Sequence, residues 1–261
     1  ADPNLRDTYL ATGELALDKH DYALAAKTFQ EGLKKRPDDP DLQCGLARAY
    51  LGSEPALAQT ALEAALKTNT NHIPSLLLLA DRAIDAEAYD EAQELLTHVL
   101  GINPAHPEAW TYRAGLARLQ NQPEREREAV AAATRCWPGN PKVPHLFGRK
   151  LSQDYRFAEG ATLQREALKL EPAYLPAKAQ LAQDLLRLGE DDEGWRLAQE
   201  VHDKDGYDVT ALNLVTLRDT MARYATVTNA HFVVHLTPKE SALYGARVLE
   251  LLETARTRLS A

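Results

Sequence analysis

Four prolines punctuate this chain at a fixed interval, and that interval decides what kind of fold it can adopt. Pro104, Pro138 and Pro172 are 34 residues apart, and Pro37 to Pro104 is 67, two units less one residue, with Thr70 where the missing proline would stand. A period in this range describes stacked supersecondary units, each unable to bury its apolar face alone, rather than a globule around one centre. Such an array presents a long surface, so the repeat bears directly on function.

Let the closing proline of each unit be position 32. Position 8 then reads Gly13, Ala47, Ala80, Ala114, Gly148 and Ala182, a small residue in all six units. Small residues there let two helices cross closely. Apolar residues flank that pivot at helical spacing, among them Leu46, Leu79, Phe147 and Leu181 at position 7, which marks the buried face of a first helix. A second helix follows, with Phe29, Leu62, Leu96 and Val130 at position 24 and Leu33, Leu66, Leu100 and Leu168 at position 28. The closing proline cannot continue it.

This pattern resembles the tetratricopeptide repeat family over residues 4–206. Trp110 occupies the family's large position 4, and Ala25, Ala58 and Ala92 its alanine at position 20. The resemblance implies an all-α, right-handed superhelical solenoid of six antiparallel helix pairs. Departures fall in the last three units, with Glu126, Gly160 and Gly194 at position 20 and Gln164 at position 24. They predict looser packing or shifted second helices there.

After Gly206 the pattern changes. Residues 207–228 read as a capping helix, centred on 208–224 with Leu212, Val215 and Met221 as anchors, because a solenoid's last apolar face needs a cover. Ala230–Leu236 is rich in β-branched residues and reads as a strand, and 239–259 as a long helix. Together they make a short C-terminal strand-plus-helix extension over 229–261. A lone strand leaves its backbone groups unpaired, and no partner strand is evident in the chain. The run from Phe232-Val-Val-His-Leu236 to Leu259 looks like the opening strand and helix of a gluzincin-type metallopeptidase domain. That resemblance implies the truncated start of a further, catalytic domain, although its His-Glu-x-x-His motif is absent here.

Composition narrows the function classes. A net charge of -8 argues against a general nucleic-acid binder. The longest apolar run, Ile73–Ala80, is far short of the roughly 20 residues of a membrane span. Cys44 and Cys136 fall two repeats apart, so they are expected to be free, buried, inert thiols. Free thiols favour a reducing compartment, while the start Ala1-Asp2-Pro3 fits a mature end; cytoplasmic and exported locations both stay open. His231 and His235, on one strand face, would lie about 13 Å apart and cannot share a zinc. The other histidines are scattered, and no nucleophile, phosphate loop or dinucleotide fingerprint occurs. No cofactor, metal or catalytic role is therefore expected of this chain.

The resemblance also implies a concave, ligand-facing surface from positions 2, 5, 6, 9, 12 and 13 of the first helices. In the first three units this gives Leu10, Leu77 and Leu78 among the carboxylates Asp7, Glu14, Asp18, Asp81 and Asp85, with Arg48. In the last three it gives Tyr112, Arg118, His145, Arg149, Gln180, Gln183 and Arg187. The family's chaperone clamp, Lys and Asn at positions 5 and 9 of the first unit, is replaced by Leu10 and Glu14. The expectation is a scaffold that binds an extended peptide or partner protein in the groove. Arg118, Arg149 and Arg187 form a basic stripe for an acidic segment, and Tyr112 is its apolar anchor. Two other readings stand beside it: the substrate-recruiting arm of a larger bacterial metallopeptidase, and a structural array that self-associates.

Overall fold

The computed structural model describes residues 3–260. Twelve of the fourteen helices among these residues form six pairs: α1 (Pro3–Asp18), α2 (Tyr22–Lys35), α3 (Pro40–Tyr50), α4 (Pro55–Thr68), α5 (Ile73–Asp85), α6 (Tyr89–Ile102), α7 (Pro107–Leu119), α8 (Pro123–Thr134), α9 (Lys142–Gln153), α10 (Phe157–Leu170), α11 (Leu175–Leu188) and α12 (Asp191–Lys204). The chain divides after Val209 into two compact units. The first is a solenoid of these antiparallel pairs, as the period requires.

The local sequence explains where each helix begins and stops. Asp39 caps α3, accepting hydrogen bonds from the Asp41 and Leu42 amides, and Asp21 does the same for α2 through Leu24. Prolines open α3, α4, α5, α7, α8 and α11, where the missing N–H leaves no bond unmade. The turn inside five of the six pairs has a shared device. His20, Glu87, Asn121, Tyr155 and Gly189 all have positive φ, between 54 and 78°, and all fall at position 15. The following amide closes a six-residue loop in each, as when Ala88 N donates to Ala83 O at 2.8 Å and Glu190 N to Leu185 O at 2.9 Å. Only one of the five is glycine. Replacing Glu87, which is exposed, by glycine is therefore expected to stabilise the third repeat by about 0.5–1 kcal/mol, the left-handed penalty less the entropy of the freer unfolded chain. Chemical denaturation would check the sign; no gain would show that the turn bears no strain.

The core runs continuously along the array. All six position-8 residues are buried. Phe29, fully buried, lies between two glycines: a Cβ on Gly13 or on Gly45 would stand 2.4 Å from its ring. The departures in the last three units act in opposite directions. At Gly160 and Gly194 the helices approach so closely that a Cβ would meet Ser152 Oγ at 2.0 Å and Leu186 Cγ at 2.8 Å. These positions tighten the packing rather than loosen it. Gln164, at an aromatic position, is fully buried yet satisfied, donating to His145 O at 3.1 Å and bonding His145 Nδ1 at 2.9 Å. α8, with Glu126, Val130 and Thr134 along one face, borders a gap.

The second unit corrects the C-terminal reading. α13 (Val209–Met221) is followed by β1 (Ala225–Thr228), β2 (Val233–Leu236) and α14 (Pro238–Leu259). The strand expected to lack a partner pairs antiparallel with β1, from Ala225 opposite Leu236 to Thr228 opposite Val233. β1 comes from the end of the segment assigned to the cap. Ala225, Val227, Val234 and Leu236 make the half-buried face of this ribbon, and Gly245 of α14 comes close enough that its Cβ would lie 3.4 Å from Val227. Thr237 and Glu240 form a capping box at the start of α14. His231 lies before β2 and bonds Glu253 at 2.9 Å, while His235 bonds Thr226 Oγ1 at 3.1 Å. No described helix is long and apolar enough to cross a membrane. Both thiols are free, but Cys136 is exposed rather than buried.

Candidate functional site

The inner face of the solenoid is built from first helices, and its polar residues pair from one repeat to the next because the register repeats. Arg48 donates to Glu14, 34 residues earlier, at 2.6 Å, and Lys142 donates to Glu108, also 34 earlier, at 2.8 Å. Arg6 binds Asp39 and Asp41, and His72 Nε2 meets Asp41 at 3.0 Å.

One cluster skips a repeat. Lys150 of α9 reaches α5, where it holds the Asp81 carboxylate, Asp85 Oδ1 at 2.7 Å and the Asp81 carbonyl at 3.1 Å. Three donors meet three acceptors, and the Lys150 side chain is 1% exposed. Arg149 Nη2 adds a contact to Asp81 at 3.3 Å. α7 lies between the two helices and is buried beneath them. Gly115, at position 9, faces this contact, and a Cβ there would lie 3.6 Å from Lys150 Cβ, an ordinary van der Waals distance. Tyr112 is 4% exposed under the cluster, its hydroxyl 3.5 Å from Arg149 and Lys150 Nζ 5.9 Å from its ring centre. Burial pushes its phenol well above the usual tyrosine range.

The sequence-derived site residues therefore divide. The structure brings Tyr112 and Arg149 together around Asp81. Arg118 points elsewhere, to Glu126 of α8 and to Glu159 of α10 at 2.6 Å, with its guanidinium 5.8 Å from the centre of the Phe147 ring. His145 is buried on Gln164, its ring centre 5.5 Å from that of Tyr174 in an edge-to-face arrangement. Gln180 donates to Asp184 at 2.9 Å, a buried carboxyl that desolvation raises above its usual range. Gln183 bonds Ala179 O at 3.4 Å, and Arg187 is exposed and stacks 5.0 Å over Phe157. Leu77 is buried in the core; Leu10 and Leu78 are half-buried beside it. Lys150 and Gly115 were not singled out by sequence. Their signal was a lysine within a buried helical face, opposite two aspartates spaced i,i+4.

On the outer face an apolar cleft of about 480 Å³ opens along α8 and α10, lined by Val130, Val143, Pro144, Phe147, Leu163 and Leu170. Its floor lies where Glu126 and Thr134 replace apolar family positions.

Comparison with known proteins agrees with this architecture. Residues 10–67 and 77–141 match the tetratricopeptide repeat model. Among curated proteins, the formate-dependent nitrite reductase complex subunit NrfG of Escherichia coli O157:H7 is 30% identical over 107 residues, covering 40% of this chain. The chain spans 54% of that relative's length. Among solved structures, a thermophilic TPR protein of Thermus thermophilus superposes with a TM-score of 0.56 at 18% identity, covering 69% of this chain and 99% of that one. A tetratricopeptide repeat protein from Parabacteroides merdae gives 0.58 at 12% identity, covering 83% and 85%. At these identities the likeness is one of fold. Residues 10–67 and 77–141 of this chain are tetratricopeptide repeats, and the pairs α9–α10 and α11–α12 continue their architecture.

Proposed function

We propose that this chain is a protein–protein interaction scaffold that holds an extended segment of a partner against the inner face of its solenoid. The observation that carries this reading is the composition of that face where it stays accessible: half-buried Leu10 and Leu78 in the first three repeats, and Gln183 and exposed Arg187 in the sixth. An extended segment takes apolar contacts from the first set and a carboxylate contact from the second. An acidic ligand on Arg118 or Arg149 would have to exchange with Glu126, Glu159 and Asp81, which already hold them. Arg187 is thus the arginine best placed for a partner's charge.

Selection from a displayed peptide library, followed by calorimetry, tests this. The paired change Leu10→Ser/Leu78→Ser, in a chain shown to be folded, is expected to weaken a selected peptide about tenfold or more, as loss of a central apolar anchor does. Binding unchanged both in that variant and in Arg187→Glu would place the site elsewhere.

A second reading, the recruiting arm of a larger bacterial metallopeptidase, draws on the strand-then-helix order of β2 and α14, which is the order that the resemblance implies. Among the described residues no group of three or more His, Cys, Asp or Glu is placed to hold a metal ion. An in-frame His-Glu-x-x-His in the parent gene would support this reading.

A further inference from the structure

In a solenoid each repeat normally contacts only its neighbours. Two sets of ion pairs in the first unit break that rule. The cluster described above joins the third repeat to the fifth across the fourth. Lys19, in the turn of the first repeat, pairs with Asp205 at the end of the sixth, 186 residues away. The array is therefore curved far enough for its two ends to meet.

The short-range packing does not account for the first of these contacts. Lys150 and Arg149 reach from α9 past α7 to the carboxylates of α5. These ion pairs lie over Tyr112, which the repeat register assigns to the ligand-facing surface.

The closed arrangement also leaves polar groups unserved. Arg149 Nε is buried with no hydrogen-bond partner, and so are His20 Nδ1, beside Lys19, and His202 Nδ1, one helical turn before Asp205. Water reaching these atoms on opening would restore bonds that the closed form lacks.

We propose that Asp81, Asp85, Arg149 and Lys150 form an intramolecular clamp that sets the curvature of the array and keeps Tyr112, on its inner face, covered. Release of the clamp straightens the solenoid, parts Lys19 from Asp205 and uncovers Tyr112 for a partner. The last step alone rests on the inner face being the binding surface; curvature and end contact do not depend on it.

The experiment reads those two properties without any partner. Cysteines at 19 and 205, Lys19→Cys and Asp205→Cys, are placed in the full chain with the exposed thiol removed as Cys136→Ser. A short bis-maleimide then reports the end contact, and small-angle scattering reports the radius of gyration. Asp81→Asn/Asp85→Asn keeps side-chain shape and removes the clamp's negative charge. In this variant, with helicity retained, crosslinking is expected to fall about tenfold, the population shift equivalent to ~1.4 kcal/mol, and the radius of gyration to rise. If the variant does not fold, Arg149→Met/Lys150→Met removes the cations while keeping apolar stems, and decides the question with the same readouts. Crosslinking and radius both unchanged would overturn the proposal, because packing alone would then set the curvature. Lost crosslinking at unchanged radius would also overturn it, since the ends would be fraying locally. Failure of the peptide selection leaves these outcomes standing, so the clamp and the binding surface are judged separately.

Discussion

Replacing Phe29 by alanine is expected to cost the first two repeats about 3–5 kcal/mol, the usual loss for deleting a fully buried aromatic side chain. The ring is completely buried and fills the space between the Gly13 and Gly45 backbones. Neither glycine can extend a side chain into the void, so the cavity will persist unless α1 and α3 collapse together. Repeats contact their neighbours, so the loss should be local. Hydrogen exchange is expected to rise sharply in α1–α4 and to stay near wild-type values in α10–α12. Equal loss of protection along the whole array would show that it unfolds as one cooperative block. A second arm tests the cause. Gly45→Ala alone forces a Cβ to 2.4 Å from the ring and should cost about 1–3 kcal/mol by overpacking. In the Phe29→Ala background it should cost little. Additive effects would mean that the ring and the glycine do not share one space.

Much of the solenoid was legible because its determinants recur in register. The small residue at position 8 recurs in all six units, and the apolar positions 24 and 28 and the closing prolines each recur in four, all reporting the same helix pair. What stayed hidden depends on contacts outside that register. The left-handed residue at position 15 is His, Glu, Asn, Tyr or Gly, so no residue type announces it and only the aligned backbone does. β1 has just four residues, Ala-Thr-Val-Thr, and the connection to β2 contains no glycine, which made it read as the end of a helix. The site was legible in a different sense. Position-based reasoning put Tyr112 and Arg149 on the inner face, and they do meet there around Asp81. Which of these side chains is free for a ligand was not legible. That depends on partners 8 to 68 residues distant, such as Glu126 for Arg118 and Asp81 for Arg149. Lys150 went unnoticed because its partners lie two repeats away, beyond any nearest-neighbour pattern.

Stability should fall by about 2–3 kcal/mol between pH 7 and pH 4.5, and His145 should account for most of it. Its imidazole is buried, and burial above all lowers its pKa to about 4, with the nearby positive charges of Arg149 and Lys142 acting in the same direction against the Gln164 bond. The unfolded chain binds a proton at histidine near 6.5. As pH drops below that value the unfolded state gains a proton that the folded state refuses, so folding is penalised. The loss grows until pH reaches about 4, where the folded protein is protonated too. His106, also lowered by burial, adds to the slope with the same sign. The paired carboxyls Asp41, Glu159, Glu200 and Asp205 are all held below their usual range, so the stability they contribute is lost mainly at more acid pH. Within the window the histidines therefore dominate. His145→Asn keeps a short polar group beside Gln164 and has no proton to gain. The variant should be less stable than the parent at pH 7, because the ring's packing against Tyr174 is lost, but its stability should fall much less from pH 7 to 4.5, keeping only the slope that His106 supplies. Urea denaturation at several pH values gives both curves. An undiminished slope in His145→Asn would show that the imidazole reaches solvent, and that Gln164 does not hold it in the core.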